Sequence, residues 1–202
     1  MPKVSPEYRD ERRAHIMAAA RRCFVRDGFH ETSMQDLVRE AGMSSGAVYR
    51  YFDSKDAVIL AIAEENLDEV VTLVRESVEH GRRGVGAALA AALEFVAARH
   101  ADDGFGAIAL LVWSEALRNP ALAARLRQSF DVAGRTLAET AGAGTATRTG
   151  LAPEDLANVL LCVLPGYLLQ VTLREGEALK GIPDAVRTLW PIDTDTPPSS
   201  TS

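Results

Sequence analysis

Apolar residues recur at intervals of three and four along nearly all of the 202 residues, and no useful length of chain alternates apolar with polar. That periodicity specifies helices and leaves no material for a sheet. The first run, from about Pro6 to Asp27, sets Ile16, Ala19, Ala20, Cys23 and Phe24 on one face, and Gly28 stops it. Ser33 with Asp36 three residues later makes a capping box in which Asp replaces the usual Glu. The short helix it opens turns Met34, Leu37, Val38 and Ala41 inward and ends at Gly42. Ser44 caps a third helix running to Phe52. Ser54 caps a fourth, with Ala57, Leu60, Ile62, Ala63 and Leu67 as its apolar side, reaching about Glu79.

Beyond it, "HGRRGVG" (His80–Gly86) reads as a linker. Helices are expected over about 87–101, 105–117 and 121–140, with Pro120 at the first helical position after Asn119. The glycine-rich segment 141–150 reads as a loop. Pro153 opens a helix to about Arg174, with Glu154 and Asp155 in its first turn, where negative charge suits the helix dipole, and Pro165 is expected to kink it. A short helix over Pro183–Trp190 follows, and the tail, 191–202, is expected to be disordered. The fold class is all-α, in two parts.

At 47% hydrophobic the chain can bury a real core. Its net charge of −6 hides an asymmetry. Residues 1–55 carry 10 Lys/Arg against 8 Asp/Glu, and residues 56–202 carry 12 against 20. A mildly basic head on an acidic body is compatible with local phosphate binding. Cys23 and Cys162 both lie in apolar helical patterns and read as buried thiols in a reducing cytoplasm. The N-terminus shows no cleavable apolar segment, and Leu156–Val171, interrupted by Asn158, Pro165, Gly166 and Gln170, is short for a membrane span. Enzymatic chemistry finds no support: the four histidines are scattered, "VWSEAL" lacks the glycines of a nucleophile elbow, and no phosphate loop follows a strand. No cofactor or metal is expected.

Two short helices joined across "AGMS" have the dimensions of a helix-turn-helix. Ser44 caps the second, so its first-turn N–H groups can point outward. Val48 and Phe52 face the core with Leu37 and Phe24, while Gly46 and Ala47 present almost no side chain. A helix that must sit deep in a major groove gains from such a slim tip, because bulk there holds the backbone off the base edges. Ser45, Tyr49, Arg50, Tyr51 and Lys55 surround it, and tyrosine hydroxyls and a lysine suit phosphate oxygens. The plainer alternative is a solvated amphipathic face.

The stretch "ETSMQDLVREAGMSSGAVYRYFDSKDAVI" resembles the DNA-binding region of the TetR family of bacterial regulators. Thr32, Ser33, Leu37, Ala41, Gly42, Ser44, Gly46, Tyr49, Tyr51, Phe52, Ser54 and Lys55 carry the match, and the preceding "AAARRCFVRDGFHETS" extends it. The resemblance covers about residues 8–60. It implies a helix-turn-helix head over 1–53, a larger helical ligand-binding and dimerisation domain over 54–190, and a cytoplasmic homodimer on double-stranded operator DNA. A small-molecule effector would release this repressor from a palindromic operator. By the same resemblance Tyr49, Tyr51 and Lys55 would contact phosphates, joined by Thr32 and Ser33, and Ser44, at the start of the recognition helix, would be a further DNA-binding residue. Ser45, Ala47 and Arg50 would lie near base edges, with Gln35 reaching in. Val38 stands where alanine is common and Ala47 where threonine is common, so packing between the two helices and the operator sequence are this chain's own.

In the body, Leu111, Trp113, Ser114, Glu115 and Phe130 form an apolar run with a polar interruption, and with Leu67, Leu93, Leu164, Tyr167 and Leu168 they are the candidate ligand residues. Glu115 could meet a cationic or hydrogen-bonding group, or simply pair with Arg118. The apolar positions of 156–171 are broader than one core-facing stripe, and with Val186, Leu189 and Trp190 they suit a four-helix dimer interface. A helical adaptor without DNA binding, and an activator built on the same head, are the competing functions. No role in a membrane is expected.

Overall fold

The computed structural model describes residues 5–79, 85–142, 152–174 and 179–189. Among them the secondary structure is helical, with no strand. The helices are α1 (Pro6–Glu31), α2 (Met34–Ala41), α3 (Ser45–Tyr49), α4 (Lys55–Glu79), α5 (Val85–Asp103), α6 (Phe105–Ala116), α7 (Pro120–Gly142), α8 (Pro153–Leu173) and α9 (Ile182–Leu189). Most of the 80–86 linker, residues 143–150 of the expected loop, Trp190 and the tail lie outside the described residues.

The chain divides into two compact units, residues 1–67 with 99–129, and residues 68–98 with 130–202. In the first, α1 to α3, the start of α4, α6 and the start of α7 belong together. Its core is Ile16, Cys23 and Phe24 of α1, Leu37 of α2, Val48 of α3, Val58, Ile59 and Ile62 of α4, and Ile108 and Val112 of α6. In the second, α8 turns Leu156, Leu160, Leu164, Tyr167, Leu168 and Val171 inward. The same unit buries Leu89, Leu93 and Val96 of α5, Ala133 and Leu137 of α7, and Val186 of α9. Arg187 of α9 pairs with Glu94 of α5 at 2.7 Å. Burial, helped by the negative Glu94, pushes the Tyr167 hydroxyl above its ordinary pKa.

Several boundaries differ from the sequence reading. Gly28 does break α1, with φ 80°, yet one further helical turn follows before Thr32. The third helix stops at Tyr49 instead of Phe52, its end continued only by turns in which the Tyr51 and Phe52 N–H groups donate to Val48 O. Cys162 is exposed while Cys23 is buried, and both are free thiols. The reason is that α8 is apolar on more than its core side, so an apolar neighbourhood in sequence did not guarantee burial. By length and composition alone α8 is also long and apolar enough to cross a membrane, which the shorter stretch 156–171 did not suggest.

Candidate nucleic-acid interface

The outward face of the head is set by three caps. The Ser33 hydroxyl accepts from Asp36 N at 3.2 Å, and the Asp36 carboxylate accepts from Ser33 N at 2.9 Å, so the capping box closes with Asp in place of Glu. Hydrogen bonds from the Ser33 hydroxyl and backbone, helped by the Arg39 charge, hold the Asp36 carboxyl below the usual carboxylate range. Gly42 takes the left-handed conformation, φ 61° and ψ 28°, and reverses the chain between the helices. His15 of α1 donates its Nε2 hydrogen to the last carbonyl of α2, Ala41 O, at 2.8 Å. The Ser44 hydroxyl accepts from Ala47 N at 3.3 Å and starts α3.

Val48, fully buried, and Phe52, beneath the Arg13 guanidinium, anchor α3 and fix which side faces out. Ser44, Ser45, Gly46, Tyr49 and Arg50 are exposed, and Ala47 and Tyr51 are half-buried beside them. Ser33 and Gln35 are exposed on α2. A side chain built at Gly46 would meet nothing within 4 Å, and its backbone does not need glycine's left-handed freedom. The Arg50 backbone N–H donates to Val48 O, while its guanidinium makes no ion pair or hydrogen bond among the described residues. Other head cations are engaged: Arg22 and Arg26 pair with Glu40 at 2.7 and 3.4 Å, and Arg39 with Asp36. Those hydrogen bonds, Arg22's foremost, hold the Glu40 carboxyl below its ordinary range.

Two of the ten expected DNA residues turn inward. Thr32 is buried and its hydroxyl donates to Gly28 O at 2.7 Å. Lys55 is half-buried, with its ammonium directed at backbone carbonyls. Of the other eight, on α2, α3 and the residues flanking them, six are exposed and Ala47 and Tyr51 are half-buried.

The candidate ligand residues are divided between the two units. Leu67, Leu111, Trp113, Ser114 and Glu115 belong to the first unit, and Leu93, Phe130, Leu164, Tyr167 and Leu168 to the second. Ser114 is exposed, and Glu115 pairs with Arg118 at 3.5 Å and lies 3.4 Å from His30 Nε2, the pairing alternative to a ligand role. An open cleft of about 900 Å³ in the first unit has none of these ten residues in its lining. Its floor includes Arg21, a buried guanidinium that donates to Glu65 at 2.8 Å and Asn66 at 2.6 Å. The sequence reading passed over Arg21, although its spacing from Met17 and Phe24 puts it on the inward face of α1.

Residues 16–62 match the family profile described as "Bacterial regulatory proteins, tetR family". Over 79 residues the chain is 44% identical to the uncharacterized HTH-type transcriptional regulator YfiR of Bacillus subtilis, a match covering 39% of this chain and 38% of that protein. Over 122 residues it is 30% identical to the HTH-type transcriptional activator FasR of Mycolicibacterium smegmatis, covering 59% of this chain and 53% of the other. These alignments thus span about half or less of the relatives' own lengths. Among solved structures, Salmonella enterica GusR superposes with a TM-score of 0.69 at 27% identity, covering 93% of this chain and 96% of that one.

Proposed function

Because the chain belongs to the TetR family of bacterial regulatory proteins, we propose that it is a homodimeric transcriptional regulator that reads a palindromic operator with α3. The observation that carries this reading is Gly46. Nothing inside the protein needs a glycine there, since a side chain would meet open space and the backbone is ordinary. A glycine in a helix costs about 0.5–1 kcal/mol relative to alanine. Close approach of an outside partner to the α3 backbone accounts for the missing side chain. Ser45, Ala47 and Arg50 flank that tip as base-edge readers with Gln35, and Ser33, Ser44, Tyr49 and Tyr51 supply phosphate partners.

Support for the dimer comes from α8. Val159, Cys162, Gly166, Leu169 and Leu173 are all exposed and succeed one another at intervals of three, four, three and four. Such spacing makes a seam along one helix face, the pattern by which two helices interlock. A second copy of the chain is its natural occupant, because a two-fold axis places the same seam on both sides and yields two operator half-sites.

Repression is the simplest outcome, since occupied DNA excludes other proteins without any further surface. Activation by the same head is the second reading, favoured by the name of the Mycolicibacterium relative. Release by a small, mostly apolar effector held in the helical body rests on the family resemblance and on the apolar candidate residues given above. The test is selection of random duplex DNA by the purified protein, then binding of the enriched sequence across a salt series. A palindromic winner whose affinity falls steeply with salt supports the reading. Failure to enrich any sequence, with only weak binding at low salt, would sink it.

A further inference from the structure

We infer that Lys55 is a positioning residue that clamps the turn between α1 and α2 to the start of α4, and that it makes no phosphate contact of its own. The inference rests on the DNA-binding reading above for its consequence, but its geometry stands alone. A lysine ammonium has three N–H donors and no acceptor. Here Nζ faces three carbonyls: Phe29 O, Thr32 O at 2.7 Å and His30 O at 3.4 Å. It also lies 4.3 Å from the centre of the buried Phe29 ring, which attracts a cation. Every donor is therefore directed into the protein.

The acceptors explain why a cation belongs there. They follow the break at Gly28, where the last carbonyls of α1 have no partner further along the helix and carry the negative end of its dipole. Thr32 satisfies Gly28 O itself, and Lys55 takes those beyond. Swinging the ammonium outward to a phosphate would strip this turn of its donors together.

The same turn is gripped from its other side. Arg118, just past α6, donates to His30 Nε2 at 2.8 Å, and Asp56, the residue after Lys55, accepts from Asn119 at 2.9 Å. Asn119 in turn caps α7 by accepting from Leu122 N. Residues 29–32 and the first turn of α4 are thus one body, and Ser33, the next residue, is the cap that starts α2. Displacing that body reorients α2, and with it the reading face. Lys55 acts on DNA through the angle of α2.

The experiment uses the full chain and the operator obtained by selection, comparing wild type with Lys55→Gln and Lys55→Arg. Affinity is measured across a salt series, and amide hydrogen exchange is followed on each protein without DNA. Both variants are expected to weaken binding by about tenfold or more, since a planar guanidinium cannot converge on the three carbonyls. The slope of log affinity against log salt stays at the wild-type value in Lys55→Gln. Exchange over residues 29–36 accelerates while α8 is unchanged. The opposite set overturns the inference: a slope smaller by about 1 in Lys55→Gln, as for a lost phosphate contact, affinity restored in Lys55→Arg, and unaltered exchange over 29–36. Should Lys55→Gln unfold globally, Lys55→Arg decides by the same two readouts. If the wild type enriches no DNA, the DNA-binding reading fails, while exchange over 29–36 still decides whether Lys55 holds the turn.

Discussion

The outward faces of α3 and α8 are opposites. On α3 and its caps the exposed residues are Ser44, Ser45, Gly46, Tyr49 and Arg50, small or polar, with the cation Arg50 among them. On α8 the exposed seam is Val159, Cys162, Gly166, Leu169 and Leu173, apolar or small throughout. A polar face is stable in water, so a partner that binds it can leave again, and salt controls how easily. An apolar face left in water costs roughly 25 cal/mol for every Å² that a partner would cover, so its partner tends to be permanent. The chemistry of each surface suits the occupant proposed for it: nucleic acid that comes and goes for α3, a second copy for α8.

The strongest way to break this comparison is to make the α8 seam polar. Leu169→Asp puts a charge within the seam and is expected to convert the proposed dimer to monomer in sedimentation. Operator affinity should fall by roughly a hundredfold or more, because each half-site is then bound alone. A variant that stays dimeric would mean that another surface joins the copies. Next in size is Arg50→Ala. As a base-edge reader Arg50 should cost about 1–3 kcal/mol and relax preference at one operator position. A loss spread evenly over all sequences would move it from base reader to phosphate contact.

Much of the fold was legible because helices announce themselves by spacing and caps. Ser33, Gly42, Ser44 and Asn119 each do locally what their residue types predict, and none depends on distant packing. The exposure of Ser44, Ser45, Gly46, Tyr49 and Arg50 was legible for the same reason. What could not be read was the direction of side chains whose choice depends on contacts remote in sequence. Lys55 reads as a surface cation at a helix start, and only the fold brings the Phe29 and Thr32 carbonyls to it. Arg21 is one of two adjacent arginines, and its burial against Glu65 and Asn66 depends on where α4 crosses α1. Cys162 failed from the other side, since an apolar helix gives no sign of which of its apolar faces is inside. The cleft beside Arg21 was not legible either, because a pocket is assembled by long-range packing that periodicity does not encode.

A smaller effect separates folding from reading at the start of α2. Ser33→Ala removes the hydroxyl cap and should lower stability by about 1 kcal/mol in chemical denaturation. Its partner Asp36 adds a pH signature. The folded carboxyl sits below its ordinary value, so its contribution is complete above the unfolded pKa near ~3.9 and fades as pH falls through the lower folded value. The stability difference between wild type and Asp36→Asn should therefore be flat at neutral pH and shrink in acid. A difference that does not shrink would show that the carboxylate's charge is irrelevant to the cap.

The smallest change, Gly46→Ala, sharpens the comparison most because its two effects have opposite signs. Within the protein the methyl meets nothing within 4 Å, and alanine is the better helix former, so folding stability should rise by about 0.5–1 kcal/mol. At the operator the same methyl stands between the α3 backbone and the base edges, so affinity should fall although the fold is firmer. Thermal unfolding of the free protein and binding of the selected duplex read the two effects separately. A variant that is both more stable and an equally good binder would mean that the tip of α3 does not enter the groove closely. The glycine would then have neither a folding nor a reading role. A variant less stable than wild type would place an unseen constraint inside the protein, and the open space around residue 46 would cease to argue for an outside partner.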